Sequence, residues 1–387
     1  MITDTASLAA FCKRLADSPY VTVDTEFMRE KTYWPLLCLV QVAGSGGAAV
    51  IDALAKGIDL KPLFGLLADR KILKVFHAGR QDLEIFFHLS GCVPTPIFDS
   101  QVAAMVCGFG EQVSYEVLAT KLTNARIDKS SRFTDWSHRP LSERQISYAL
   151  SDVTHLRTIY EKLQIKLNGN GRTNWLEEEM AVLTARETYD LDPALAFRRI
   201  KSRSANRQFL AVLRELAAWR EKEAQRRDLP RNRVLRDDPL VEIAHHLPST
   251  TGELARTRGL GHQLVEGAAG AALLRAVKRG IEVPEEDCPE PRLKPALPRG
   301  LGPVIELLKV LMKMKCEEKG VAQKLLASSA DIELIAAYGK KAQVPAMHGW
   351  RLQVFGEEAL KLRRGDTALA IKGKKLVLLD KEAGPNS

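Results

Sequence analysis

The sequence predicts an α/β domain built on a mixed sheet, followed by two small all-α units. Three observations lead there. Residues 1–165 alternate short, apolar, partly β-branched runs with amphipathic helical patterns, as strands and their covering helices do within one domain. Beyond about residue 202 the β signal almost vanishes. Finally, V-L-R-D-D-P-L-V-E-I-A at 234–244 echoes L-A-S-S-A-D-I-E-L-I-A at 326–336, a pattern expected when one helical module occurs twice.

Taken in order, the strand candidates are 20–24, 36–42, 48–51 and 72–76, all rich in Val, Leu and Ile. Helical periodicity covers 7–16, 60–68 and 81–89, the last with Phe86, Phe87 and Leu89 as expected core anchors. After Asp99 the pattern turns mostly helical, at 101–106, 115–122 and 143–168. In the second half, Phe209, Val212, Leu213, Leu216 and Trp219 recur at helical spacing, and helical segments follow near 239–246, 251–255 and 262–279. Prolines at 284, 289, 291, 295 and 298 predict a stiff, extended connector before the second helical block. G-D-T-A-L-A-I-K-G-K-K-L-V-L-L closes the chain as a β-hairpin pattern with Lys372, Lys374 and Lys375 around its turn.

With 387 residues, the chain is too long for one compact core. It contains no apolar run long enough to span a bilayer. Its N-terminus lacks the basic-then-apolar order of a secretory signal. The six cysteines are scattered with no C-x-x-C spacing, which fits thiols in a reducing cytoplasm rather than disulfides or zinc. Of the 57 Lys and Arg and 48 Asp and Glu, residues 1–170 hold 19 and 18, leaving 38 and 30 for the rest. The net charge of +9 therefore belongs almost wholly to the second half, where it can attract a polyanion such as nucleic acid.

The chemistry is concentrated in three short segments of the first half. Asp24 and Glu26 stand two apart in V-T-V-D-T-E-F, hence on one face of a strand. Asp82 opens a helix in F-H-A-G-R-Q-D-L-E-I-F-F. Tyr148 and Asp152 are four apart in Y-A-L-S-D, hence on one stripe of a helix. Each piece has a plainer reading: a strand end facing solvent, a dipole-stabilising first-turn acid, a surface helix pair. Their order, strand pair then strand-to-helix corner then helix, fits the several close oxygen ligands that a two-metal phosphodiesterase needs.

These segments resemble the three motifs of the exonuclease superfamily defined by four acidic residues, in the subclass with tyrosine in the third motif. T-Y-W-P-L-L-C-L-V-Q-V-A, P-I-F-D-S-Q-V-A-A-M-V and D-K-S-S-R-F-T-D-W-S-H-R-P-L-S narrow the resemblance to the bacterial ribonuclease D family, over essentially the whole chain. The resemblance implies a ribonuclease-H-like domain with a five-stranded sheet flanked by helices, then two helical domains of the HRDC type. It implies 3′→5′ exoribonuclease activity on tRNA precursors and other structured small RNAs, in a cytoplasmic monomer. Its cofactors would be two divalent cations, Mg²⁺ or Mn²⁺. Asp24 would bridge both, Glu26 and Asp152 would hold the ion at the attacking water, Asp82 would support the other largely through water, and Tyr148 would orient the water.

The expected division is an exonuclease domain over 1–168, a linker helix over 169–205, helical domains over 206–283 and 301–381, a proline-rich linker over 284–300 and a tail over 382–387. Phe27 is a candidate for packing against the terminal base or sugar, or for the sheet core. His77 is a candidate phosphate or carboxylate contact, or a core histidine. Arg132 and Arg139 are candidate phosphate contacts, or solvated loop charges. The basic run Arg198, Arg199, Lys201, Arg203 and Arg207, with Arg226, Arg227, Arg231, Arg233 and Arg236, either guides RNA or forms a solvated face. Two rival functions share these motifs: a DNA proofreading or repair exonuclease, and a nucleic-acid-binding adaptor with an inactive nuclease fold.

Overall fold

A computed structural model describes residues 1–202, 204–291 and 297–380. Arg203 of the basic run, Pro295 of the connector and the 382–387 tail lie outside the described residues. The N-terminal half folds around a five-stranded sheet of β1 (Tyr20–Met28), β2 (Leu36–Gly44), β3 (Gly47–Asp52), β4 (Leu73–Phe76) and β5 (Ile97–Asp99), in the order β3-β2-β1-β4-β5. β1, β2 and β3 form an antiparallel meander, whereas β4 and β5 run parallel to β1. The sheet is thus mixed, and β1, which carries Asp24 and Glu26, lies at its centre.

Helices α1 (Thr5–Leu15), α2 (Lys61–Ala68), α3 (Arg80–Ser90), α4 (Ser100–Val106), α5 (Tyr115–Thr123), α6 (Glu143–Asn170) and α7 (Thr173–Thr184) complete this half. α6 begins at a capping box, in which Ser142 and Gln145 each satisfy the other's backbone N–H. It lies against β1, β2 and β3, and the Thr22 hydroxyl donates to the Val153 carbonyl on it (2.7 Å). The face of β1 bearing Thr22, Asp24 and Glu26 therefore looks at α6. Val21 and Val23, on the other face, share a core with Leu8, Phe11 and Leu15 of α1.

β1 runs four residues past the expected end because β2 continues to pair with it through Met28. β5, three residues long, is too short to show as a periodic pattern. Phe86 is buried as expected, but Leu89 is 44% exposed. Within the 169–205 segment, Leu176 and Met180 of α7 are buried in the core of the N-terminal half, and the Met180 sulfur accepts from the Asp99 N–H.

The faint sequence repeat becomes a close geometrical one. α8 (Arg207–Arg227) is followed, after three residues, by a helix over Arg231–Val234 and, after two more, by one over Asp237–His246. Gly302–Lys319, Gln323–Leu326 and Ser329–Tyr338 follow with the same two gaps. Both long helices end at a left-handed residue, Asp228 (φ 49°) and Gly320 (φ 57°), a conformation that frees the last carbonyls for closing bonds.

Both units dock on the N-terminal half. The first has its own core around Leu213, Leu216, Ile243 and Val277, and meets the β1–β2 loop through Tyr33, Trp34, Ala224 and Val234. The second merges with the core of the N-terminal half: Trp350 stacks on Trp175 of α7 (4.2 Å, 8°), and the Ala322 N–H donates to the Met105 carbonyl (3.0 Å). No helix among the described residues is long and apolar enough to cross a membrane.

Candidate active site

Alternation along β1 sends Asp24 and Glu26 toward α6, and the i, i+4 spacing on α6 brings Tyr148 and Asp152 down to meet them. One carboxylate oxygen from each of Asp24, Glu26 and Asp152 lies within 4.8 Å of the others. A register shift between Glu26 and Phe27 leaves Cys38 unpaired on β2, a bulge of the kind that re-aims a neighbouring side chain. Past the bulge, Arg29 grips both oxygens of Glu84 (2.9 and 2.8 Å), tying the end of β1 to α3.

Asp82 comes from that helix. It is buried, accepts from the Thr25 hydroxyl, and stands beside the trio rather than within it. Its corner is held by a second buried acid, Asp99, whose carboxylate accepts from the N–H groups of Ala78, Gly79, Gln101 and Val102 (2.8–3.2 Å). Ala78 adopts φ 56°, which is uncommon for a residue with a side chain. Gly79 has no alternative, because a Cβ there would sit 2.5 Å from that of Phe76. The H-A-G turn is thus bent tightly enough to bring the first turn of α3 to the carboxylates.

Tyr148 turns its hydroxyl toward the Asp152 carboxylate, and its ring is backed by buried Trp136 (centroids 6.1 Å apart). Asp24, Tyr148 and Asp152 open onto a cleft of about 410 Å³ that His77, Gln101, Tyr115 and Arg132 also line, a volume within the usual range for ligand sites. His77 lies in the cleft wall with Nδ1 2.9 Å from the Ser100 hydroxyl and Nε2 buried without a protein partner. Arg132 is the cation that most offsets the charge at Glu26 and Asp152.

Phe27 is half-buried against the core of the N-terminal half, with part of its surface accessible. One sequence candidate is placed otherwise. Arg139, expected as a phosphate contact, is a structural clamp: it donates to both oxygens of Asp52 (2.8 and 2.6 Å) and to the carbonyls of Trp136, His138 and Cys38. Those bonds use all five guanidinium N–H groups, and none remains for RNA. The basic run is partly consumed in the same way, since Arg207 pairs with Glu290, Arg226 and Arg227 with Glu223, and Arg231 with Glu221. Sequence reasoning missed Asp99, whose signal was an acid immediately before a helix, and Phe133, 90% exposed beside Arg132 (5.1 Å from guanidinium to ring).

Burial and mutual repulsion shift the clustered acids upward from the usual carboxylate range. Burial raises Asp24 to about 6, partly offset by the Thr25 N–H. It raises Asp152 to about 8 with help from Asp24, and Glu26 to about 9 with help from Asp24, Asp152 and Asp82. Asp82 is raised by burial and then by Asp24. In the metal-free protein these folded carboxyls bind protons that the unfolded chain releases near pH 4, so their contribution to stability falls as pH rises from about 5 to 9. With chelator present, the melting temperature of the parent should fall over this window more steeply than that of Asp24→Asn. Parallel curves would contradict the cluster as described.

The donor set fits divalent cations: hard carboxylate oxygens at short mutual distance, with Oδ1 of Asp152 buried and without a protein partner.

Residues 1–168 match the family model described as 3′-5′ exonuclease, and residues 209–277 match the HRDC domain. The chain is 49% identical over 380 residues to ribonuclease D of Granulibacter bethesdensis, covering 98% of this chain and 96% of that protein. It is 50% identical over 390 residues to ribonuclease D of Jannaschia sp., with 98% and 99% covered. The crystal structure of Escherichia coli RNase D, an exoribonuclease involved in structured RNA processing, superposes with a TM-score of 0.81 at 32% identity, over 94% of this chain and 98% of that one. With its carboxylates assembled on β1, α3 and α6 of such a fold, the chain belongs to the ribonuclease D family and is a 3′→5′ exoribonuclease.

Proposed function

We propose that this exoribonuclease removes nucleotides one at a time from the 3′ ends of tRNA precursors and other structured small RNAs, as a cytoplasmic monomer loaded with two Mg²⁺ or Mn²⁺ ions. The observation that carries the proposal is the Asp24–Glu26–Asp152 oxygen cluster with Tyr148 at its side in an open cleft. Asp24, Glu26 and Asp152 would hold one ion, and Asp24 with Asp82 the other. Bound divalent ions supply the Lewis acidity that lets water cleave a phosphodiester at neutral pH.

The chain's own part is placement. Tyr148 orients the nucleophilic water by its hydroxyl. It does not serve as the base, because burial and the charges of Asp152, Glu26 and Asp24 push its phenol above the usual value of ~10. Arg132 meets a backbone phosphate, His77 borders the substrate end from the cleft wall, and Phe133 stands clear enough of the loop to stack on a base. The two helical units hold the body of the RNA, the first of them across the seam where exposed Arg199 borders a cavity of about 330 Å³ with Arg29, Arg220 and Arg231.

End-labelled single-stranded RNA, single-stranded DNA and a 3′-extended tRNA precursor, each incubated with protein and Mg²⁺, test the proposal. Stepwise shortening of RNA, with the precursor trimmed to a discrete end, is expected, whereas DNA-only trimming would refute it. Tyr148→Phe is expected to lower kcat about 100-fold while leaving Mn²⁺ affinity within a few-fold of the parent. A matching loss of Mn²⁺ affinity would make Tyr148 a structural support instead.

A further inference from the structure

β2 is apolar from Leu36 to Gly44 except for one residue with a strongly polar side chain, Gln41. Gln41 is 0% exposed, and neither its amide nitrogen nor its amide oxygen has a hydrogen-bond partner among the described residues. Its register partner across the sheet is Asp24. Directly opposed residues of an antiparallel pair project on the same face with Cβ atoms ~5 Å apart, so Gln41 and Asp24 lie side by side beneath α6. Most other neighbours on that face are apolar or already engaged, the exceptions being Glu26 of the cluster itself and the indole N–H of Trp136, which is buried without a partner and, as a donor only, can meet the amide oxygen of Gln41 but not its N–H groups. Val50 opposes Gln41 from β3. Leu39, Val50 and Ala149 belong to one buried cluster, and the Thr22 hydroxyl donates to the carbonyls of Ala43 and Val153.

A buried amide left without partners works against folding, and an apolar side chain of the same shape would avoid that cost. We propose that Gln41 is a positioning residue for the metal site. Its amide N–H groups, unpartnered here and one strand away from Asp24, are placed to take up that carboxylate when ions bind and to keep it in the orientation that presents both oxygens to them. A carboxylate serving two ions has little tolerance for rotation, and groups that hydrogen-bond a ligating carboxylate set ligand orientation and affinity.

The inference rests on the two-metal reading, and Mn²⁺ binding to the full-length parent tests that reading separately. Free Mn²⁺ measured by electron paramagnetic resonance gives the affinity, and melting of the chelated protein gives the fold. Gln41→Met keeps the volume and removes the polar atoms. It is expected to melt at or above the parent's temperature without metal, yet to bind Mn²⁺ about 10- to 100-fold more weakly. Gln41→Leu should follow the same pattern. A parent that binds no Mn²⁺ would overturn the metal reading. A parent that binds while both variants bind within twofold of it would overturn the role of Gln41 alone. So would variants that lose their metal-free fold, since that result would make the amide a packing element.

Discussion

Asp24→Asn is expected to abolish hydrolysis while leaving the fold intact. The substitution keeps the shape of the side chain but replaces the carboxylate proposed to bridge both cations with a neutral amide. It also relieves the crowding at Glu26, Asp82 and Asp152, since Asp24 is among the charges that raise each of them. Loss of several kcal/mol of transition-state stabilisation corresponds to a fall in rate of about 1,000-fold or more. Single-turnover cleavage of end-labelled RNA reads the rate, and circular dichroism and melting read the fold. Measured without metal above pH 6, Asp24→Asn should melt at or above the parent's temperature. Robust cleavage by the purified variant would remove Asp24 from the centre of the site.

Glu221→Ala should produce the largest loss of stability, at the seam between the catalytic half and the first helical unit. Glu221 is buried. It accepts from the Tyr33 hydroxyl of the β1–β2 loop and from Nε and Nη2 of Arg231 (both 2.5 Å). Beside it, the Asp228 carboxylate accepts the N–H groups of Tyr33 and Trp34 (3.1 and 3.0 Å), and Trp34 stacks on His88 of α3 (3.8 Å, 9°). Truncating Glu221 leaves the Arg231 guanidinium without its carboxylate and the Tyr33 O–H without its acceptor, while Arg231 and Gln225 still donate to the Tyr33 oxygen. Removing one partner of a fully buried ion pair costs about 3–5 kcal/mol. Because Arg231 keeps a third of its side chain exposed, about 2–3 kcal/mol is expected here. Hydrogen exchange at the Tyr33 and Trp34 amides should accelerate, and urea should release the seam before the catalytic core. Unchanged protection of both amides would show that the apolar contacts hold the seam by themselves.

That seam also bears on function. The same loop follows directly on β1 and is tied through Arg29 and Glu84 to the helix bearing Asp82. The first helical unit therefore presses on the segment joining the first and second acidic motifs. Loosening it is expected to affect how structured RNA is presented more than how a short single strand is cut.

How much of this was legible beforehand depended on the range of the interaction. The Asp24–Glu26 and Tyr148–Asp152 pairs were readable because strand and helix periods alone set which residues share a face. Four of the five strands and the catalytic helix showed for the same reason. β5 did not, since three residues carry no period. Arg139 was misread because a loop arginine looks the same in sequence whether it faces phosphate or Asp52, 87 positions away. Gln41 lies within T-Y-W-P-L-L-C-L-V-Q-V-A, yet its position opposite Asp24 is a matter of register between strands.

By itself, the sequence determined the α/β half, the helical half, the repeated module and the identity of the acids, all of which follow from local periodicity and residue chemistry. Only the tertiary structure decided that both helical units dock on the catalytic half, that α7 packs into the core of that half, and which cations stay free for RNA. Those outcomes depend on partners far apart in the chain: Trp175 with Trp350, Tyr33 with Glu221, Arg139 with Asp52. Local sequence pattern carries no record of such pairings, because they exist only once the chain has closed on itself.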